Sequence, residues 1–189
     1  MQARPRKNKI SYVLRVLLPL ACLVTLWFIF HNSLQSGDES SAQSSSVTAF
    51  AQEIIRAVAP DSKWTETSGE NYEKLHAFVR TMAHVLEFAL LGALFCWCYF
   101  AYTFSAKYFY LPISGIVATP IIDEWLQTLS DGRAAALNDV VLDTLGGALG
   151  LGFALISVLV GIAVYASKDK KRGENDGKRE LGNSVNQIQ

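Results

Sequence analysis

The apolar residues of this 189-residue chain are gathered into blocks roughly as long as a bilayer is thick, and nothing else in the sequence limits the fold as strongly. A soluble domain mixes apolar and polar residues at the period of a helix or a strand. Here the blocks fall at about 12–30, 81–104, 108–127 and 138–166. A helix needs about 20 apolar residues to cross the hydrocarbon layer, and backbone crossing it must satisfy its own hydrogen bonds. The blocks therefore predict an all-α membrane protein with four transmembrane helices. A cleaved signal peptide has the charge order of the first block, but its apolar core is about 7–15 residues, so the length favours a retained anchor.

Charged residues make up 18% of the chain and crowd the termini and the stretch from about 35 to 80. The formal net charge of +0 gives no basis for nucleic-acid binding. Lys and Arg near the membrane set orientation. Residues 1–11 are basic, Lys107 sits between the second and third blocks, and Lys168, Lys170, Lys171 and Arg172 follow the fourth. With four spans these segments share one side, which predicts cytoplasmic N and C termini and an outer loop over 31–80. Arg15 can snorkel to the headgroups. The polar tail over 167–189 predicts disorder. Cys22, Cys96 and Cys98 all lie inside apolar blocks and read as small apolar packers, not as a metal set or a disulfide framework.

The outer loop opens with a serine-rich, turn-like run over 31–46. Val47, Phe50, Ala51, Ile54, Ile55 and Val58 then recur at the spacing of one helix face. Two readings stand equally: a helix packed on the bundle's loops, or one lying in the membrane interface. A second amphipathic stretch, 71–80, runs into the second span. Trp97, Tyr99, Phe100 and Tyr102 near the end of that span suit a headgroup belt.

Helix direction then gathers the ionisable residues. The second span descends from outside and carries His84 and Glu87 near its outer end, just after Arg80. The third rises to Asp123, Glu124 and Gln127, the turn signal over 130–133 brings Arg133, and the fourth opens with Asp139 and Asp143. These groups meet at one membrane depth. Charge at that depth costs about 2.5–3.5 kcal/mol per group on insertion scales unless it is paired or faces water. His84 and Glu87 share a helix face, as do Asp123 with Gln127 and Asp139 with Asp143. The cluster reads as an outward ligand site, or as an ion-pair network fixing helix register. Gly146 and Gly150 form a G-x-x-x-G face for close helix packing.

These same residues resemble the VanZ-like family, teicoplanin-resistance-associated membrane proteins. The resemblance covers roughly 12–166 and is carried by the serine-rich exit from the first span, Arg80-x-x-x-His84-x-x-Glu87-Phe88, Asp123-Glu124-x-x-Gln127, Arg133, and Asp139-x-x-x-Asp143-Thr144-x-Gly146 leading to Gly150. Phe88 and Asp143 stand where the family pattern has Tyr and Asn. The resemblance implies a small bacterial cell-envelope membrane protein with a link to antibiotic resistance.

The expected function is binding of a lipid headgroup, a cell-wall-related ligand or a glycopeptide at the outer polar cluster, with no cofactor and no metal. One alternative is a membrane enzyme using the His and carboxylate cluster for acid–base or metal chemistry, although no paired catalytic histidines, nucleophile elbow or phosphate-binding glycine loop is present. Another is an oligomeric transporter, for which four spans are few and no inverted repeat is visible.

Overall fold

The computed structural model describes residues 9–186. It is helical, with α1 at Lys9–Ser33, α2 at Gly37–Val58, α3 at Glu70–Tyr102, α4 at Tyr110–Gln127 and α5 at Leu137–Asn186. Short 3-10 turns at Lys63–Thr65 and Ala106–Tyr108 sit in the connectors. Three helices, α1, α3 and α5, contain segments long and apolar enough to cross a membrane. Their outward residues are Leu, Val, Ile and Phe at high exposure, as expected where lipid replaces water.

Helix α3 is the central element and packs on α1, α4 and α5. It runs antiparallel to α1. Ile29 of α1 buries with Phe88 and Leu91, while at the opposite end Arg15 Nε donates to the Ala101 carbonyl at 2.7 Å and the Tyr102 hydroxyl donates to the Arg15 carbonyl at 2.5 Å. Arg15 thus closes the C-terminal end of α3 instead of only reaching for headgroups. The rings of Tyr99, Phe100, Phe104 and Phe109 pack together at this same end.

Helix α5 runs parallel to α3 at backbone contact, and glycine makes that possible. A Cβ on Gly146 would stand 2.5 Å from the Val85 carbonyl oxygen, and one on Gly150 or Gly92 would run into the carbonyl of Ala89 or Gly147. The G-x-x-x-G face is therefore spent inside the chain, on α3, and is not offered to a second copy.

Two expectations change. The run over 31–46 is not one long turn: α1 continues to Ser33, and α2 starts at Gly37. The reason is a capping box. The Ser36 hydroxyl accepts from the Glu39 amide at 3.3 Å, and the Glu39 carboxylate accepts from the Ser36 amide at 3.0 Å. Those Ser36 contacts hold the Glu39 carboxyl below its ordinary pKa of 4.5. The tail expected to be disordered over 167–189 is instead helical to Asn186. No proline interrupts the chain after Leu137, and extending an existing helix avoids the cost of nucleation. The basic arm over residues 1–8 lies outside the described residues.

Helix α2 is inverted relative to a helix on a soluble protein. Its buried residues are Ser40, Thr48 and Gln52, whereas Phe50 is 63% and Val58 82% exposed, with Val47 and Ile54 also open. Its polar face is the inner one. Gln52 donates to the carbonyls of Trp64 at 3.3 Å and Glu66 at 2.6 Å, and Ser41 and Ser45 meet His76 of α3. Helix α2 thus packs on the connector that follows it and on α3, but through its polar face, and leaves most of the apolar face open.

Candidate functional site

The close approach of α3 to α5 sets the site. His84 immediately precedes Val85, and Asp143 lies one turn before Gly146, so the glycine contact brings the two side chains together. A ring nitrogen of His84, a carboxylate oxygen of Asp123 and one of Asp143 all lie within 4.8 Å of one another. Asp123 is fully buried and Asp143 is 4% exposed. Asp123 is held on both sides: Ser33 of α1 hydrogen-bonds one oxygen, and Gln127 Nε2 donates to the other at 3.0 Å.

Glu124, also buried, accepts from the backbone amide of Ala136 and so fixes the start of α5 to the end of α4. Arg133, in the connector between those helices, reaches to the end of α1. Its Nη1 donates to the carbonyls of Ser33 at 3.3 Å and Asn32 at 3.5 Å, and Nη2 donates to Ser40 Oγ at 2.6 Å. The guanidinium caps carbonyls that α1 leaves open. Burial, and Arg80 nearby, hold its pKa below the ordinary guanidinium range. Its Nε is buried without a hydrogen-bond partner.

Above these groups opens a cavity of about 740 Å³. Its walls come from the first turns of α2, from α3, from the connector carrying Arg133, and from α5. Arg80, His84, Gln127, Arg133, Asp139 and Asp143 line it, with Asp38, Glu73, His76 and Asp131. Glu87, Asp123 and Glu124 do not line the cavity.

The sequence-derived set is thus brought to one end of the bundle, and of the pairs expected from helix spacing Asp123 and Gln127 do meet, by a hydrogen bond, whereas Asp139 and Asp143 part. Asp139 is exposed while Asp143 is buried, and His84 faces Asp143 of another helix. Nor is the cluster an ion-pair network. Among the described residues the salt bridge within 4.0 Å is Lys74–Glu70 on the surface, and neither Arg80 nor Arg133 forms one with a carboxylate. Sequence reasoning missed Ser33, Ser40 and the start of α2. The Ser36-x-x-Glu39 capping box was the available signal for the last of these.

The VanZ/LLP1 family model matches residues 18–160, from within α1 into α5, and so takes in every residue of this site. The chain belongs to the VanZ/LLP1 family. No curated protein and no solved structure gave a match. For this VanZ/LLP1 protein, the helices that the match covers include all three apolar ones, so it is a membrane protein by family and by composition.

Proposed function

We propose that this protein crosses a bacterial cell membrane four times, with both termini in the cytoplasm, and binds a zwitterionic phospholipid headgroup in the outward cavity. The carrying observation is the cavity itself: about 740 Å³, with side chains of both signs on its walls. That volume lies within the range of small-ligand sites. Arg80, which lines the cavity and makes no hydrogen bond, suits a phosphate, because guanidinium donors match its oxygens. Asp38, Glu73, Asp131 and Asp139 suit an ammonium group. A glycopeptide is larger than this space, so a resistance phenotype would act through the lipid.

Helix α4 is the fourth span in this reading. Its 18 residues extend about 27 Å, close to the hydrocarbon thickness. Helix α2 lies in the outer interface with Phe50, Ile54 and Val58 toward the acyl chains, which accounts for its inversion. Single cysteines in a cysteine-free background test this arrangement. Labels at 39 and 131 should react from outside and those at 107 and 170 only from inside, while spin labels at 50 and 54 should contact lipid. Reaction of 107 or 170 from outside would end the outward reading.

The headgroup is tested by thermal unfolding in detergent with added lipid. Phosphatidylethanolamine should raise the Tm more than phosphatidylglycerol, which lacks the ammonium group. Arg80→Ala should weaken that effect by about tenfold in lipid concentration, equivalent to about 1.4 kcal/mol. Arg80 makes no hydrogen bond that the fold needs, so the variant should remain folded. Equal effects of the two lipids, or an unchanged response in Arg80→Ala, would count against the proposal.

A further inference from the structure

Five carboxylates, those of Glu87, Asp123, Glu124, Asp139 and Asp143, gather at this end of the helices with two guanidiniums, Arg80 and Arg133. No ion pair within 4.0 Å joins the two sets. Arg133 directs both terminal nitrogens at α1 carbonyls and Ser40 instead. The carboxyl groups outnumber the guanidiniums, in surroundings where an uncompensated charge is expensive.

Beneath the cavity this excess has a definite shape. His84, Asp123 and Asp143 come from three different helices and present one nitrogen and two oxygens within 4.8 Å of one another. Asp143 is 4% exposed, lines the cavity and makes no hydrogen bond, so its oxygens remain available. Asp123 is oriented by Ser33 and Gln127, one partner on each oxygen, which leaves a lone pair on each. Outer hydrogen bonds of this kind orient carboxylates that ligate metals.

We infer that His84, Asp123 and Asp143 bind a divalent transition-metal cation, with zinc the best-matched ion, just beneath the cavity that His84 and Asp143 line. Zinc takes nitrogen and carboxylate oxygen at about 2.0–2.2 Å, which spaces tetrahedral ligands about 3.4 Å apart. The 4.8 Å limit therefore asks the three side chains to close by at most about 1.4 Å, a rotamer-scale movement. The imidazole selects against magnesium and calcium, which prefer all-oxygen sites. Three protein ligands leave a fourth position open toward the cavity. The site stands independently of the lipid reading, since its ligands need no headgroup.

Full-length protein in detergent, stripped with chelator and dialysed against zinc alone, tests the inference. The expected result is one zinc per chain, retained in excess magnesium. Asp143→Asn and His84→Ala should each weaken binding by at least about tenfold, with helix content by circular dichroism as the folding control. Cobalt in the unsubstituted protein should give d–d bands without a thiolate charge-transfer band, and this carries the test if a variant does not fold. Absence of bound zinc, full retention in both folded variants, displacement by magnesium, or a thiolate band pointing to the cysteines would each overturn it.

Discussion

Gly150→Leu is expected to abolish the folded state, giving aggregated protein or a Tm lowered by well over 10 °C in detergent. The position has no space for a side chain: even a Cβ there would enter the Ala89 carbonyl. Overpacking a core ordinarily costs about 1–3 kcal/mol, and that figure assumes side chains that can move aside. Here the obstacle is backbone of α3, so α5 itself must shift. Gly152 supplies the control. Nothing lies within 4 Å of a Cβ at Gly152, two residues along the same helix, so Gly152→Leu should fold with the parental Tm. If the two variants behave alike, the close contact between α3 and α5 is not what holds the bundle.

Arg133→Ala is the second large effect. Its guanidinium ties the connector between α4 and α5 to the last carbonyls of α1 and to Ser40 at the start of α2. A hydrogen bond to a charged group contributes about 1.5–3 kcal/mol, and truncation here also removes a positive charge from a region rich in carboxylates. A loss of about 2–4 kcal/mol in stability is expected from two such bonds after allowing for their long geometry at Asn32. Reversible unfolding in mixed detergent with sodium dodecyl sulfate would measure it. Arg133→Lys should recover only part, because an ammonium group cannot reach the α1 carbonyls and Ser40 together. A loss below about 0.5 kcal/mol, typical of exposed surface sites, would mean that Arg133 does not join these elements.

The sequence made some of this legible and hid the rest for physical reasons. Apolar block length revealed the long helices, because crossing hydrocarbon leaves little freedom of composition. The order of the polar residues along those blocks located the cluster at one end. Partnership it revealed only in part, since Asp123 and Gln127 do pair. Asp139 and Asp143 are four residues apart and share a nominal face, yet one is exposed and the other buried. Which side of α5 meets α3 is decided by glycines, and the depth of that contact is a tertiary property. Arg133 resembled a counter-ion by charge alone, whereas its geometry spends it on carbonyls. Helix α2 was half legible: its period was plain, but a hydrophobic face predicts burial without saying whether protein or lipid does the burying. Its first turns were hidden because serine suits caps and turns, and the capping box lay inside a run of similar residues.

Ser33 carries a consequence for how chains of this design can change length. Its hydroxyl meets Asp123 and its carbonyl accepts from Ser130 at 2.9 Å and from Arg133. One residue is therefore keyed to two other segments at a fixed rotation about the α1 axis. Adding a single residue between Ile29 and Ser33 would turn it by about 100° and undo all three contacts together. The connector over 59–69 faces no such restriction, since lengthening a surface loop costs little. Added residues should therefore be tolerated in the connector after α2 and not before Ser33.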